Sequence, residues 1–255
     1  MSYEAFAYYY DSLMDQEFYN DYIQFINKHV KKYQTVLELG CGTGEIAIRL
    51  AHLGKNVCAT DISKDMLEVA KYKCIDFKAD VMLSRVDMCD FAVDTKLDLI
   101  LCLCDSLNYV TNLKDVKNVF QNTYDALKKD GTFIFDVDSM YKMEKILANY
   151  DEENDDEDFY FHWHVDHLEK GSVKHSVEII DKVNQERVYE EHLQKTFDIE
   201  IYRDLLEKVG FKEVEVYSDF NEYNEECERN IFVCKKGFLY GHTMDFVRRI
   251  YSIRV

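Results

Sequence analysis

The sequence contains no proline, where about 5% is usual in globular proteins, and it has no long apolar run. The longest such run, Leu97 to Cys104, is interrupted by Asp98. A bilayer-spanning helix needs about 20 apolar residues, so no membrane segment is expected. The N-terminus also lacks a basic segment ahead of an apolar one, which argues against a secretory signal. These absences favour a cytoplasmic protein.

Basic residues are scarce as well. The chain has 31 lysines and arginines against 49 acids, a formal charge of -18. Binding to a nucleic-acid backbone requires a basic face, so we expect no nucleic-acid partner. The 8 cysteines include no CxxC pair, which disfavours a zinc ribbon and fits reduced core thiols. Such acidity suits an enzyme with a small or cationic substrate. The oligomeric state stays open between a monomer and a homodimer.

Strand-length apolar runs and helical patterns alternate between Thr35 and Asp138. This alternation is typical of right-handed βαβ units around a parallel sheet. Glycine at position 54 ends the first of these helices, and Ser63 is the expected N-cap of the second. The predicted strands are 35–39, 56–60, 81–86, 97–104 and 131–137, and the predicted helices are 45–53, one beginning at Ser63, and 113–127.

The pattern changes at Asp151. The acidic run 151–158 reads as a solvated loop, and Phe159 to Phe197 alternates apolar and polar residues with period two, as in an antiparallel meander. Phe161, Trp163 and Val165 should therefore share one face of it. The α/β pattern then resumes with a helix over 200–209 and strands over 211–217 and 230–234. We predict an α/β core of residues 1–150 and 196–236, an inserted antiparallel β lid of 151–195, and a C-terminal extension of 237–255.

A glycine-rich turn follows the first predicted strand. Glu38 is followed by glycines at 40, 42 and 44, where the chain opens a helix. Glycine lets the backbone approach a ligand closely. A dinucleotide site would place its last glycine at position 45, which is Glu45, and Glu38 would lie near the pyrophosphate. A cationic, phosphate-free ligand suits this turn better.

Acids also end the next two strands. Asp61 is placed to accept hydrogen bonds from two ribose hydroxyls, and Asp87 with Met88 could hold an adenine. The fourth strand runs into a polar cluster over 104–109 at the same predicted edge of the sheet.

Together these segments resemble the class I S-adenosylmethionine-dependent methyltransferases. The resemblance covers ELGCGTG at 38–44, Asp61 with Ile62, VDM at 86–88, CDSLNYV at 104–110 and AYYYD at 7–11. It implies a doubly wound, seven-stranded, mainly parallel Rossmann-like sheet of order 3-2-1-4-5-7-6, with strand seven antiparallel. It also implies S-adenosyl-L-methionine as cofactor. The implied cofactor contacts are Tyr10, Glu38, Gly40, Gly42, Gly44, Asp61, Ile62, Asp87, Met88 and Cys104.

In the same family, a β lid after strand five occurs in the branch that methylates amines of amino acids and sugars. This favours a small-molecule amine as acceptor. Asp105 and Asp138 are the candidate catalytic acids, because an amine must lose a proton before it is methylated. Candidate acceptor contacts are Asn108, Tyr109, His162 and His164.

His162, His164 and Asp166 alternate along a predicted strand, so all three face one side. A metal could bind there, but we assign the histidines to the acceptor and expect no metal. Two other functions remain open. One is a non-catalytic module that keeps the cofactor pocket. The other is a nicotinamide-dependent oxidoreductase, which Glu38 and Glu45 disfavour.

Overall fold

The computed structural model describes residues 16–237, which form an α/β core and a second, separate sheet. Tyr10 and the AYYYD segment, and residues 238–255 of the expected extension, lie outside the described residues. The helices are α1 (Gln16–His29), α2 (Glu45–His52), α3 (Lys64–Asp76), α4 (Leu113–Ala126) and α5 (Ile199–Val209). The core strands are β1 (Thr35–Leu39), β2 (Asn56–Asp61), β3 (Val81–Arg85), β4 (Leu97–Cys102), β5 (Leu127–Asp138), β10 (Glu213–Ser218) and β11 (Arg229–Lys235).

The core sheet has the order β3-β2-β1-β4-β5-β11-β10, which confirms the predicted topology. Its strands are parallel except for β11, which runs antiparallel to both β5 and β10. The carboxyl ends of the first five strands therefore share one edge. The amino end of β11 reaches the same edge, where Arg229 pairs in register with Asp138. This edge is where open α/β sheets bind ligands.

Helices cover both faces of the core sheet because neighbouring strand residues point to opposite sides. On β1, Val36 packs into one cluster with residues of α1 and α2, while Leu37 packs into another with residues of α4 and α5. The second cluster is rich in aromatic rings. Phe135 and Phe232 stack across neighbouring strands with ring centroids 4.5 Å apart.

Most helix and strand ends predicted from the sequence lie within two residues of the observed ends. Ser63 caps α3 as expected, since its hydroxyl accepts a hydrogen bond from the Met66 amide at 3.2 Å. The largest difference is at β5, which begins at Leu127 rather than 131 because its pairing with β4 continues through a register shift. The end of β4, at Cys102 rather than 104, and the start of β10, at Glu213 rather than 211, each differ by two residues.

The second sheet is antiparallel and has the order β6-β7-β8-β9. Its strands are β6 (Asp151–Asp155), β7 (Phe159–Glu169), β8 (Ser172–Asp181) and β9 (Glu186–Lys195). Two short helical turns, Lys142–Ile146 and Leu147–Asn149, connect it to β5. Among residues 16–237, no helix has the length and apolar content needed to cross a membrane.

The prediction of a loop over 151–158 was wrong for its first five residues. Asp151 to Asp155 form the edge strand β6, in which Asp151 pairs with His164 and Asp155 with Tyr160. Backbone pairing with β7 outweighs the poor strand propensity of acidic residues, and charged side chains are well tolerated at a sheet edge. Lys182 forms an ion pair with Asp155.

The predicted facing of β7 is confirmed. Phe161 and Trp163 pack against the buried Val177 and its neighbours, and Trp163 also packs against the cluster that contains Val165. His162, His164 and Asp166 occupy the other face, as the period of two requires.

Candidate active site

A cavity of about 670 Å³ opens at the carboxyl edge of the core sheet, beneath the second sheet. Its volume lies within the range of about 300–1,000 Å³ that is usual for small-molecule sites. The core side is lined by the glycine turn and the strand ends, including Glu38, Gly40, Asp61, Asp87 and Met88. The second sheet contributes Phe161, Trp163, His175, Val177, His192 and Gln194.

The turn after β1 needs glycine for two different reasons. Gly40 has φ 65°, and a Cβ there would lie 2.7 Å from the Cβ of Ser106, whose hydroxyl donates to the Gly40 carbonyl at 2.9 Å. Gly44 has φ 82°, and a Cβ there would meet Ala70 at 3.3 Å. Gly40 thus lets two strand ends approach each other, while Gly44 lets α2 pack on α3.

Glu38 is a buried acid at the end of β1, with 3% of its surface exposed. Burial, and to a smaller extent the nearby Asp61, raises its pKa to about 8, although the Ala47 amide donates a hydrogen bond to it. Its Oε2 atom has no hydrogen-bond partner among residues 16–237. A positive group in the cavity would therefore stabilise the ionised form of Glu38.

Asp61 organises the glycine turn from the end of β2. Its two carboxylate oxygens accept hydrogen bonds at 2.8 Å, one from the Gly42 amide and one from the Ser63 amide. Burial nevertheless raises the pKa of Asp61. Asp87, at the end of the third strand segment, accepts a hydrogen bond from the Cys89 amide at 2.8 Å. Both acids keep part of their surface on the cavity.

The turn after β4 contains two adjacent non-glycine residues in the left-handed region, Cys104 (φ 55°) and Asp105 (φ 53°). This conformation costs free energy and is held only by strong local contacts. Asp136 on β5 supplies them, because its carboxylate accepts from the Cys104 amide at 2.9 Å and from the Asp105 amide at 2.6 Å. Asp136 also accepts hydrogen bonds from Tyr22 on α1 and Arg229 on β11.

Arg229 joins the acids at the floor of the cavity. Its guanidinium lies 2.6 Å from Asp136, 3.1 Å from Asp105 and 3.9 Å from Asp138. Lys142 forms a second ion pair with Asp138 at 2.9 Å. Burial, together with the charge of Asp105, raises the pKa of Asp138 even with these cations present.

A chain of hydrogen bonds links the second sheet to Asp105. The Trp163 indole donates to His175 Nδ1, His175 Nε2 donates to Gln194 Oε1, and the Gln194 amide donates to Asp105, each at 3.0 Å. Burial lowers the pKa of His175 to about 4, so its imidazole is neutral and can accept from Trp163. The second sheet thereby orients an acid of the core.

Most of the residues predicted for the site line this cavity. They are Glu38, Gly40, Gly42, Asp61, Ile62, Asp87, Met88, Cys104, Asp105, Tyr109 and Asp138. Asn108 is fully buried instead. It accepts from the Asp138 amide and donates to the Lys195 carbonyl, both at 2.9 Å, and so joins the core to the second sheet.

The structure does not bring His162 and His164 to the cavity. They lie on the opposite face of β7 from Phe161 and Trp163, and their side chains contact Asp151. The alternation along β7 was read correctly, but the face with Phe161 and Trp163 lines the cavity, and the face with the histidines does not.

Sequence reasoning missed Arg229, Lys142, His175 and Gln194. The sequence around His175 did contain a signal. His175 lies two residues from Val173 and from Val177, so all three were predictable as sharing the buried face of β8. Arg229 was missed because the last strand was expected to begin at 230, although the expected antiparallel pairing of this strand with strand five brings its first residues to this edge.

The chain is similar to several known proteins. The sequence profile of the methyltransferase domain family matches residues 36–131. A protein of Geobacillus sp. strain WCH70 that bears the name of a methyltransferase is 35% identical, over 92% of this chain and all of its own length. A glycine/sarcosine N-methyltransferase of Aphanothece halophytica is 26% identical, over 84% of this chain and 81% of its own.

A solved structure shows the same fold. The crystal structure of an S-adenosylmethionine-dependent methyltransferase from Clostridium acetobutylicum superposes with a TM-score of 0.83 and 27% identity. The match covers 92% of this chain and 99% of that one, so the likeness includes the second sheet as well as the core.

Replacing Asp136 by Asn should lower the free energy of unfolding by about 3–5 kcal/mol, because Arg229 then stays buried without its nearest counter-charge. Urea unfolding measures this loss. Asp136→Asn combined with Arg229→Met should lose less than the sum of the two single changes. A loss below about 1 kcal/mol for Asp136→Asn would contradict the role given to this carboxylate.

Glu38→Gln should flatten the pH dependence of stability in the ligand-free protein. Above pH 4.5 the unfolded chain releases the Glu38 proton, while the folded protein keeps it up to about pH 8. The folded state then binds more protons, so stability falls as pH rises between these values, by up to about 1.4 kcal/mol per unit. Urea unfolding over this pH range should show a shallower fall for Glu38→Gln than for the exposed control Glu68→Gln. Equal slopes would argue against a protonated Glu38.

Proposed function

The chain belongs to the class I S-adenosylmethionine-dependent methyltransferases, and from that membership we propose that it methylates the amino group of a small-molecule acceptor. S-adenosylmethionine is its methyl donor. The observation that carries the proposal is the charge of the cavity. Seven acids line it, Glu38, Glu45, Asp61, Asp87, Asp105, Asp115 and Asp138, whereas its cations Arg229 and Lys142 are already held by acids. Such a cavity attracts cationic ligands.

The core half of the cavity fits the donor. Glu38 would bind the amino group of its methionine part, since one buried carboxylate oxygen is unpartnered among the described residues. Asp61 would accept hydrogen bonds from the ribose hydroxyls, and Asp87 would meet the adenine amino group. Met88 and Ile62 supply apolar contacts beside them. S-adenosylmethionine supplies a methyl carbon already activated by a sulfonium.

The half beneath the second sheet fits an amine. Asp105 and Asp138 line the cavity together with the rings of Tyr109, Phe161 and Trp163. Carboxylates and aromatic faces together bind ammonium groups well. Burial and Asp105 raise the pKa of Asp138, which makes it a better proton acceptor than an ordinary carboxylate. The N-methyltransferase relative from Aphanothece halophytica, by its name, acts on two amines, and this supports an amine here.

In this mechanism the protein aligns the reactants and excludes water. Arg229 and Gln194 hold Asp105 from two sides, at 3.1 and 3.0 Å, so that its carboxylate keeps one orientation toward the acceptor. Asp138 takes the proton that the ammonium must lose. Loss of this proton would free the nitrogen lone pair to accept the methyl group of the bound donor. The second sheet acts as the lid over this half of the cavity.

Asp61→Ala should weaken donor binding by about 2–3 kcal/mol, because charge-assisted hydrogen bonds to the ribose are lost. The melting temperature should also fall, since the Gly42 and Ser63 amides lose their acceptor. Calorimetry with S-adenosylhomocysteine measures the affinity. Asp65→Ala, in the first turn of α3, is the control and should bind normally. Unchanged affinity in Asp61→Ala would mean that the ribose lies elsewhere.

The acceptor is tested by screening amines, hydroxy acids and sugars with isotopically labelled donor. We expect methylated amines and equimolar S-adenosylhomocysteine.

Asp138→Asn should lower kcat by about 100-fold or more through loss of the proton acceptor, while donor affinity stays within about threefold, or 0.6 kcal/mol. The control Asp198→Asn changes an exposed acid paired with Lys170 and should be fully active. Methylation of hydroxyl groups alone would refute the proposal of an amine acceptor.

A further inference from the structure

A cluster of two histidines and an acid lies on the face of the second sheet that points away from the cavity. The Asp151 carboxylate is 2.8 Å from His162 Nε2 through one oxygen and 3.1 Å from His164 Nδ1 through the other. The three groups come from neighbouring strands. The unexpected strand β6 places Asp151 opposite His164, and the period of two places His162 beside both.

We propose that Asp151, His162 and His164 bind a zinc ion. Imidazole nitrogens and a carboxylate oxygen are typical zinc ligands, and three protein ligands with a water complete a tetrahedral site. Bonds of about 2.0–2.1 Å place tetrahedral ligand atoms about 3.3 Å apart. The potential ligand atoms of this cluster all lie within 4.8 Å of one another, so small side-chain rotations suffice.

Asp166 gives the cluster a second layer. Its carboxylate lies 3.3 Å from His164 Nε2 and 3.2 Å from the ammonium of Lys174. A proton held on Nε2 by this carboxylate leaves the Nδ1 lone pair of His164 directed at Asp151 and the ion. Carboxylates that hold metal-bound histidines in this way are common and raise their affinity.

The ligand side chains are open to solvent, with exposures of 57% for Asp151, 33% for His162 and 43% for His164. An ion can therefore enter and keep a water. The two histidines flank Trp163 along β7, and Trp163 lines the cavity and donates to His175. A bound ion would fix β7 on both sides of this residue. Zinc would thus order the wall of the acceptor half of the cavity.

The test is a zinc titration of the metal-stripped full-length protein in competition with a chromophoric chelator. We expect one saturable site of micromolar affinity, a higher melting temperature, and no effect of magnesium, which prefers oxygen ligands. Trp163 is the sole tryptophan of the sequence, so its emission reports on β7 directly. Zinc should change this emission over the same concentration range.

The variants locate the site. His162→Gln and His164→Gln should abolish micromolar zinc binding, and Asp166→Asn should weaken it about tenfold or more. His167→Gln is the matched control, because His167 lies on the same strand but pairs with Glu144 at 3.0 Å. Circular dichroism and donor binding, which should be unchanged in all four variants, check the fold.

Absence of saturable zinc binding would overturn the proposal. Binding that survives in His164→Gln, or that falls equally in His167→Gln, would overturn it too, because the ion would then bind elsewhere. Binding at the cluster without a change in Trp163 emission would contradict the link to the cavity.

Discussion

The buried carboxylate of Asp136 is the contact on which the cavity depends. It joins four groups from three other parts of the fold: the Cys104 and Asp105 amides after β4, the Tyr22 hydroxyl of α1, and the Arg229 guanidinium of β11. A buried charge is costly unless all of its partners are present. Asp136 therefore stabilises both the strained turn after β4 and the position of Arg229. That turn places Asp105 in the wall of the cavity.

Two other acids of the cavity, Glu38 and Asp61, are held at a cost in stability. Within residues 16–237, Glu38 is buried beside Asp61 and no cation offsets its charge, so burial raises its pKa and disfavours its ionised form. Strain and unfavourable charge persist at sites where a ligand relieves them. In our proposal, the amino group and sulfonium of S-adenosylmethionine supply the positive charge that relieves this cost.

The second sheet has two faces of different chemistry, and each has its own task in our proposals. The inner face presents Phe161, Trp163 and His175 to the cavity and reaches Asp105 through Gln194. The outer face gathers Asp151, His162 and His164. Because successive residues of β7 alternate between the faces, any ion bound outside is linked to the wall inside through a single strand. Occupancy of one face can therefore affect the order of the other.

By itself the sequence determined the order of the core elements, the glycine turn, and the acids Glu38, Asp61 and Asp87 at strand ends. These are local features, and parallel strands necessarily bring their carboxyl ends to one edge. Tertiary structure alone decided the rest. Nothing in the sequence around Asp136 marks it as special, because its partners Tyr22 and Arg229 are distant in sequence and reach it only in the folded chain. Residues 151–155 form a strand because β7 offers backbone partners. Which face of β7 lines the cavity likewise depends on how the second sheet packs on the core, and no periodicity within β7 contains that information.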